Sequence, residues 1–225
     1  MMDTSKVLEF FDGTKVKKQI HIVGCGAIGS HVAEELARIG CENIHLWDFD
    51  TVSPHNITNQ MFVDADIKRP KVEAVYDMMV SINPGLKDKV FIHPDGLKSP
   101  YIINGYIFMC VDSVNLRNEI VRANQYNQNA IAIFDFRMRL TDAQYYCARI
   151  SNIDEVEELL KTMDFTDEEA KAATPVSACG VELSVVYTVK AIVAFGVCNF
   201  VRICQGMDAK TKIFIDMNLF SVDAF

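Results

Sequence analysis

The chain has 225 residues, half of them apolar, and 22 basic against 30 acidic side chains give a formal net charge of −8. That length and composition suit one sizeable α/β domain with a well-filled core. The acidic balance argues against a nucleic-acid partner held by phosphate neutralisation, and no uncharged apolar run reaches the roughly 18 residues that a membrane span needs.

The first residues, MMDTSKVLEFFDGTK, lack a cleavable apolar core, so no leader peptide is expected. Residues 1–18 form a short lead-in whose Val7, Leu8, Phe10 and Phe11 can dock on the domain. Ile20, Ile22 and Val23 then make a short apolar strand that runs into Gly24-Cys25-Gly26-Ala27-Ile28-Gly29. A helical pattern follows, with Val32, Leu36 and Ile39 inward and Glu34, Glu35 and Arg38 outward. A second strand, Ile44 to Trp47, ends on Asp48-Phe49-Asp50. Strand, glycine turn, helix, strand and acid make a nucleotide site. Glycines let the backbone turn tightly and approach a phosphate, and the helix N-terminus offers it free N–H groups. An acid about 20 residues on suits a ribose hydroxyl.

Thr51 to Met61 is polar, with a turn of helix at Ser53-Pro54. Asp66 to Ile82 has helical spacing and stops at Asn83-Pro84-Gly85. Lys89 to His93 and Tyr106 to Val111 read as strands, the second ending on Asp112. Ser113 to Gln128 reads as a helix and Ala130 to Phe134 as the next strand, ending on Asp135. Strands alternating with helices predict a Rossmann-like, mostly parallel sheet with helices on both faces. Asp48, Asp50, Asp112 and Asp135 all fall at or just past strand C-termini, where such sheets bind ligands.

Beyond Asp135 the pattern changes. Gln144 to Ile150 suggests an antiparallel strand, and Ile153 to Ala173 is charged and helical or irregular, with Asp167-Glu168-Glu169 expected in solvent. Thr174-Pro175 breaks this segment, and a small-residue loop holding Cys179 follows. A long buried helix is expected from about Val181 to Cys204, and a closing strand from Lys212 to Asp216. Residues 1–225 are thus expected to form one domain, with a nucleotide-binding half at 19–135 and a C-terminal half at 136–225. The seven cysteines show no CxxC spacing, which speaks against zinc; their odd number and core-like positions favour a reduced, cytoplasmic setting.

The run DFDTVSPHNITNQMFVDADIKRPKVEAVYDMMVSINP closely resembles the ThiF/MoeB family of ubiquitin-activating-like adenylyltransferases. GCGAIGS, CVDSVNLR and IFDFRM fit the same family; the last resembles its small stand-alone bacterial members, which also carry a cysteine before a long helix. The resemblance implies ATP and Mg²⁺ as cofactors, a small ubiquitin-like or sulfur-carrier protein with a Gly-Gly C-terminus as partner, and a homodimer. It implies that Gly24, Gly26, Ala27 and Gly29 carry the nucleotide turn and that Asp48 binds the ribose. Asp50, Asn56, Asn59 and Gln60 then line the phosphate-side loop. Lys71 contacts the phosphates, Asp112 holds Mg²⁺, and Arg117 pairs with an acid or steadies the phosphate region. Asp135 and Arg137 face the carrier's tail, and Cys179 is an acyl-accepting nucleophile.

The sequence departs from the family at Asn59, where the family has arginine, and at Lys68, where it has glycine. Arg137 or Arg139 could supply the charge missing at Asn59. Two alternatives stand beside the adenylyltransferase: a catalytically impaired nucleotide-bound scaffold of the same family, favoured by Asn59, and an NAD-dependent oxidoreductase. The second shares the glycine turn but does not account for Lys71 with Asp112.

Overall fold

Short apolar runs buried on both faces form parallel strands, because each needs a helical layer above and below. The computed structural model describes residues 3, 5–177 and 183–225 and shows this arrangement. Strands β1 (Ile20–Val23), β2 (Ile44–Trp47), β3 (Val90–His93), β4 (Gly105–Met109) and β5 (Ala130–Met138) pair in parallel in the order β3-β2-β1-β4-β5. Strands β6 (Asp142–Arg149), β7 (Lys212–Asp216) and β8 (Ser221–Ala224) extend the same sheet antiparallel. One sheet therefore runs through both halves of the chain.

On one face, Ile20, Ile22, Leu46, Phe108 and Phe134 pack under α1 (Ala27–Arg38), α2 (Lys71–Ile82) and α6 (Val186–Cys204). On the other, Val23, Ile107, Met109 and Ile133 meet α3 (Val114–Asn124) and α4 (Ile153–Lys161) through Ile120, Val121, Val156 and Leu159. Helix α5 (Asp167–Ala173) follows α4. Strand order reverses between β1 and β4, which opens a crevice at their C-terminal ends.

Several boundaries differ from expectation. The helix expected from Asp66 starts at Lys71, because Pro70 has no N–H to donate and Lys68 takes a left-handed φ of 73°. The charged segment after Ile150, expected to be helical or irregular, forms two helices, α4 and α5. Strand β8, a short edge strand, went unread. Helix α6 is not wholly buried: Val189, Ile192, Val193, Val197 and Phe200 face the sheet, while Tyr187 and Phe195 stay exposed. By length and composition α6 could cross a membrane, yet one of its faces lies in the core. Cys179 lies outside the described residues.

Strand β5 is longer than expected. Ala132, Phe134 and Phe136 alternate on the α6 side and carry the strand past Asp135 to Met138. Asp135 thus sits mid-strand with no exposed surface, so it cannot face a carrier tail. It is inside because two guanidinium groups, from Arg117 and Arg137, neutralise it.

Candidate functional site

The crevice between β1 and β4 opens into a cavity of about 1700 Å³. Gly24, Gly26, Ala27, Asp48, Asp50, Asn56, Asn59, Gln60, Lys71, Asp112, Arg117 and Arg137 all line it. Gly29 lies beneath it.

Gly24 has φ 94°, and a Cβ there would come within 2.8 Å of the Cys110 backbone. A Cβ at Gly29 would fall 1.8 Å from the Gly24 carbonyl oxygen, so this glycine is what lets α1 seat against the strand. Gly26 differs: its Cβ would meet nothing nearer than the Gln60 side chain at 4.0 Å. The space left open there faces the cavity. No side chain caps α1, so the dipole end and N–H groups of its first turn remain available to an anion. The Gln60 Oε1 atom is buried and has no hydrogen-bond partner among the described residues. An open cradle, an uncapped helix and an unpaired acceptor all fit a nucleotide.

Asp48 lines the cavity just past the end of β2. Its Oδ2 accepts from the Cys25 N–H at 2.6 Å and its Oδ1 from the Asp50 N–H at 2.8 Å. Burial pushes this carboxyl up, against the pull of those bonds and of Lys71. Lys71 is only 8% exposed, unlike an ordinary helix lysine. Its Nζ rests on Asp50 Oδ2 at 2.9 Å, and its N–H binds the Asp50 carbonyl. Asn56 Oδ1 accepts from the Ser53 N–H at 2.9 Å and so braces the turn between β2 and α2. Asn59 Nδ2 donates to Ser184 Oγ at 2.6 Å, which ties this loop to the entrance of α6.

Asp112 is exposed at the cavity edge, immediately after β4. It is not the cap of α3: Ser113 is, its Oγ accepting from the Leu116 N–H at 3.1 Å. No cluster of three or more His, Cys, Asp or Glu side chains able to hold a metal occurs among the described residues. A lone carboxylate still suits Mg²⁺, which takes one or two protein carboxylates and completes its shell with phosphate and water.

Arg117 and Arg137 are committed to protein partners. Both Nη atoms of Arg117 donate, one to Asp135 and one to the Val111 carbonyl. Arg137 Nε donates to Asp135 Oδ2 at 2.7 Å, its Nη1 and Nη2 bind Thr162, and its guanidinium stacks over Tyr146. Arg137 therefore does not stand in for the charge missing at Asn59. Arg139 keeps only a loose 3.4 Å pairing with Asp142 and remains exposed. Cys25 and Cys147 are buried, and burial pushes the Cys147 thiol up to about 12, so neither is a ready nucleophile.

Sequence reasoning missed two features. Asp167, expected in solvent, accepts hydrogen bonds from Ser113 Oγ at 2.9 Å and from the first N–H groups of α3. His21, His45 and His93 also pack side by side across β1, β2 and β3 against Trp47, which lines the cavity. In the sequence they are three scattered histidines; only the strand order brings them to one face.

Comparison with known proteins bears on the family and the fold. The chain is 33% identical over 116 residues to the molybdopterin-synthase adenylyltransferase of Escherichia coli K12, covering 49% of this chain and 47% of that one. It is 34% identical over 74 residues to ubiquitin-like modifier-activating enzyme 5 of Caenorhabditis elegans, covering 33% of this chain and 18% of that one. The chain thus spans about half the length of the molybdopterin-synthase adenylyltransferase and less of the second relative. Among solved structures, PaaA superposes with a TM-score of 0.70 at 15% identity, covering 93% of this chain and 64% of its own. E. coli MccB with MccA does so at 0.70 and 16% identity, covering 93% and 63%. At those identities the likeness is one of fold. The ThiF family model matches residues 14–133, more than half of the chain and all of the glycine-turn-to-Asp112 site, and the chain belongs to the ThiF family.

Proposed function

We propose that the chain adenylates the C-terminal carboxylate of a small ubiquitin-like or sulfur-carrier protein ending in Gly-Gly, using ATP with Mg²⁺. The observation that carries this reading is the convergence of the uncapped α1 terminus, Lys71 and Asp112 on one cavity. The adenylyltransferase relatives support the same reaction class. A carrier carboxylate oxygen attacks the α-phosphorus of ATP, the bond to the β-phosphate oxygen breaks, and acyl-adenylate and pyrophosphate form. Asp48 takes the ribose hydroxyls. The first turn of α1 and Lys71 meet the phosphates, and Lys71 leaves Asp50 to offset charge on the departing pyrophosphate. Asp112 would hold Mg²⁺, which when bound shields phosphate charge from the incoming carboxylate. The cavity continues past Arg139, Gln144 and Thr174, which leaves room for an extended tail. A homodimer belongs to this reading and rests on resemblance to the family; a reducing, cytoplasmic setting rests on the cysteine pattern.

ATP–pyrophosphate exchange that depends on a Gly-Gly-ending carrier is the expected result. Calorimetry showing NAD⁺ binding and no ATP binding would refute it. A second reading has one observation in its favour: Asn59 is engaged with Ser184 while Arg117 and Arg137 are engaged with Asp135, which leaves the phosphate side short of arginine. In that reading the chain is a nucleotide-bound scaffold. It then binds ATP with Mg²⁺ and shows no exchange with any carrier.

A further inference from the structure

The turn that carries Asp112 is held from both sides by residues distant in the chain. On one side, Arg117 joins the Val111 carbonyl to the buried Asp135. Asp135 in turn holds Arg137, whose Nη1 donates to the Thr162 carbonyl at 2.7 Å and whose Nη2 donates to Thr162 Oγ1 at 2.8 Å. Thr162 ends α4. A few residues later the chain comes back to the same turn. Asp167 Oδ2 accepts from Ser113 Oγ at 2.9 Å, and Asp167 Oδ1 accepts from the Val114 N–H and, at 3.3 Å, from the Asn115 N–H. The polar contacts thus close a circuit around Asp112 and leave Asp112 itself out.

That circuit uses up the helix terminus. The N–H groups of Val114 and Asn115 go to Asp167, that of Leu116 goes to Ser113 Oγ, and that of Arg117 goes to the Ser113 carbonyl. The end of α3 is therefore not an anion cradle, in contrast to the end of α1. Its carboxylate partner acts as a clamp. An exposed carboxylate on a loose turn must be ordered when a cation binds, and that ordering weakens the binding. A turn clamped beforehand avoids this cost, as groups that orient metal ligands generally do. We infer that Asp167 is a positioning residue for Asp112, so that the nucleotide's divalent cation is held firmly only while the segment from Thr162 to Ala173 is docked on α3. This inference rests on the nucleotide-and-metal reading of the site given above.

Calorimetric titration of ATP into the full chain, across a Mg²⁺ series and with a chelator, tests it. Asp167→Ala is expected to raise the Mg²⁺ needed for half-maximal enhancement of ATP binding by about tenfold or more, the usual cost of losing such a support. Metal-free ATP affinity should stay within about twofold, since α1 and Lys71 are untouched. Asp167→Asn keeps an acceptor for the Val114 N–H and is expected to recover most of the loss. Ser113→Gly removes the hydroxyl that donates to Asp167 yet remains a tolerated helix cap; it is expected to raise the Mg²⁺ requirement by a smaller factor and serves if Asp167→Ala does not fold. An unchanged Mg²⁺ requirement in folded Asp167→Ala or Ser113→Gly overturns the inference. So does an Asp167→Asn protein as impaired as Asp167→Ala, because charge rather than positioning would then be at work. If the unmutated protein shows no Mg²⁺-dependent ATP binding, the metal reading fails and takes this inference with it, a result distinct from the other two.

Discussion

His21 offers a sharp test of how the β1–β3 edge is held. Its ring is 5% exposed, and its Nδ1 accepts the Trp47 indole N–H at 3.1 Å. The His45 ring stacks on it at 4.6 Å, and His45 shares a 3.1 Å hydrogen bond with His93. A proton on His21 Nδ1 would break the Trp47 bond inside a low-dielectric sheet. Burial first, and the neighbouring His45 and His93 next, push His21 down to about 3. The unfolded chain takes up its proton near pH 6.5, so the native state binds fewer protons below that pH. Stability from His21 is complete above about pH 6.5 and is lost as pH falls from there toward the native value. The loss is about 1.4 kcal/mol at pH 5.5 and about 2.7 kcal/mol at pH 4.5. Other groups titrate in the same window. Glu35, pushed up to about 7 by burial and then by Glu34, changes stability in the opposite sense. The measurement must therefore be a difference. Urea unfolding of the wild type and of His21→Gln, from pH 7.5 to pH 4.5, cancels the groups that do not touch His21, Glu35 among them. The gap between them should shift by about 2.7 kcal/mol in favour of the variant. A gap that stays constant across that range refutes the buried neutral histidine.

The glycine turn predicts unequal outcomes for two similar changes. Gly29→Ala drives a methyl group to 1.8 Å from the Gly24 carbonyl and should cost about 3 kcal/mol or more, seen as a lower midpoint in denaturant. Gly26→Ala meets no protein atom nearer than 4.0 Å but replaces the glycine that starts α1, so it should cost about 1 kcal/mol, less than Gly29→Ala, and bind ATP at least roughly tenfold more weakly in calorimetry. Lys68→Gly relieves a left-handed residue whose N–H bond to Val52 is kept, and should stabilise by about 0.5–1 kcal/mol in the same unfolding assay. Cys179→Ala should abolish any reductant-sensitive adduct with the carrier and leave pyrophosphate exchange intact; an adduct that persists would move the acceptor elsewhere.

The part of the site legible in the sequence is the part built from local spacing. Gly24, Gly26 and Gly29 follow a strand and open a helix, and Asp48 ends the next strand, so short-range geometry already brings them together. The errors arose where distant residues decide the local state. Asp135 reads as a strand end because an acid rarely continues a buried strand. It does continue here, because Arg117 reaches it from α3 and Arg137 reaches it two residues along its own strand. The period-two pattern Ala132, Phe134, Phe136 was the available signal. Asp167 reads as solvated because nothing nearby in sequence needs it; its partners lie more than fifty residues earlier.

Charge at the phosphate side follows from where each cation is committed. Arg117 and Arg137 bracket the fully buried Asp135, and removing either would leave that carboxylate short of a partner, so neither is free to follow a substrate. Lys71 is held differently. Its partner Asp50 is half exposed, so that carboxylate keeps contact with solvent when Lys71 leaves, whereas the fully buried Asp135 has no such contact. A polyphosphate carries more negative charge than one half-exposed carboxylate, so a phosphate in the cavity would compete with Asp50 for Lys71. On the proposed reading, with asparagine at position 59, polyphosphate charge would be met by Lys71, the first turn of α1 and the exposed, loosely paired Arg139, and the remainder by a divalent cation at Asp112. On that reading, asparagine at position 59 would raise the demand on the turn that Arg117 and Asp167 hold in place.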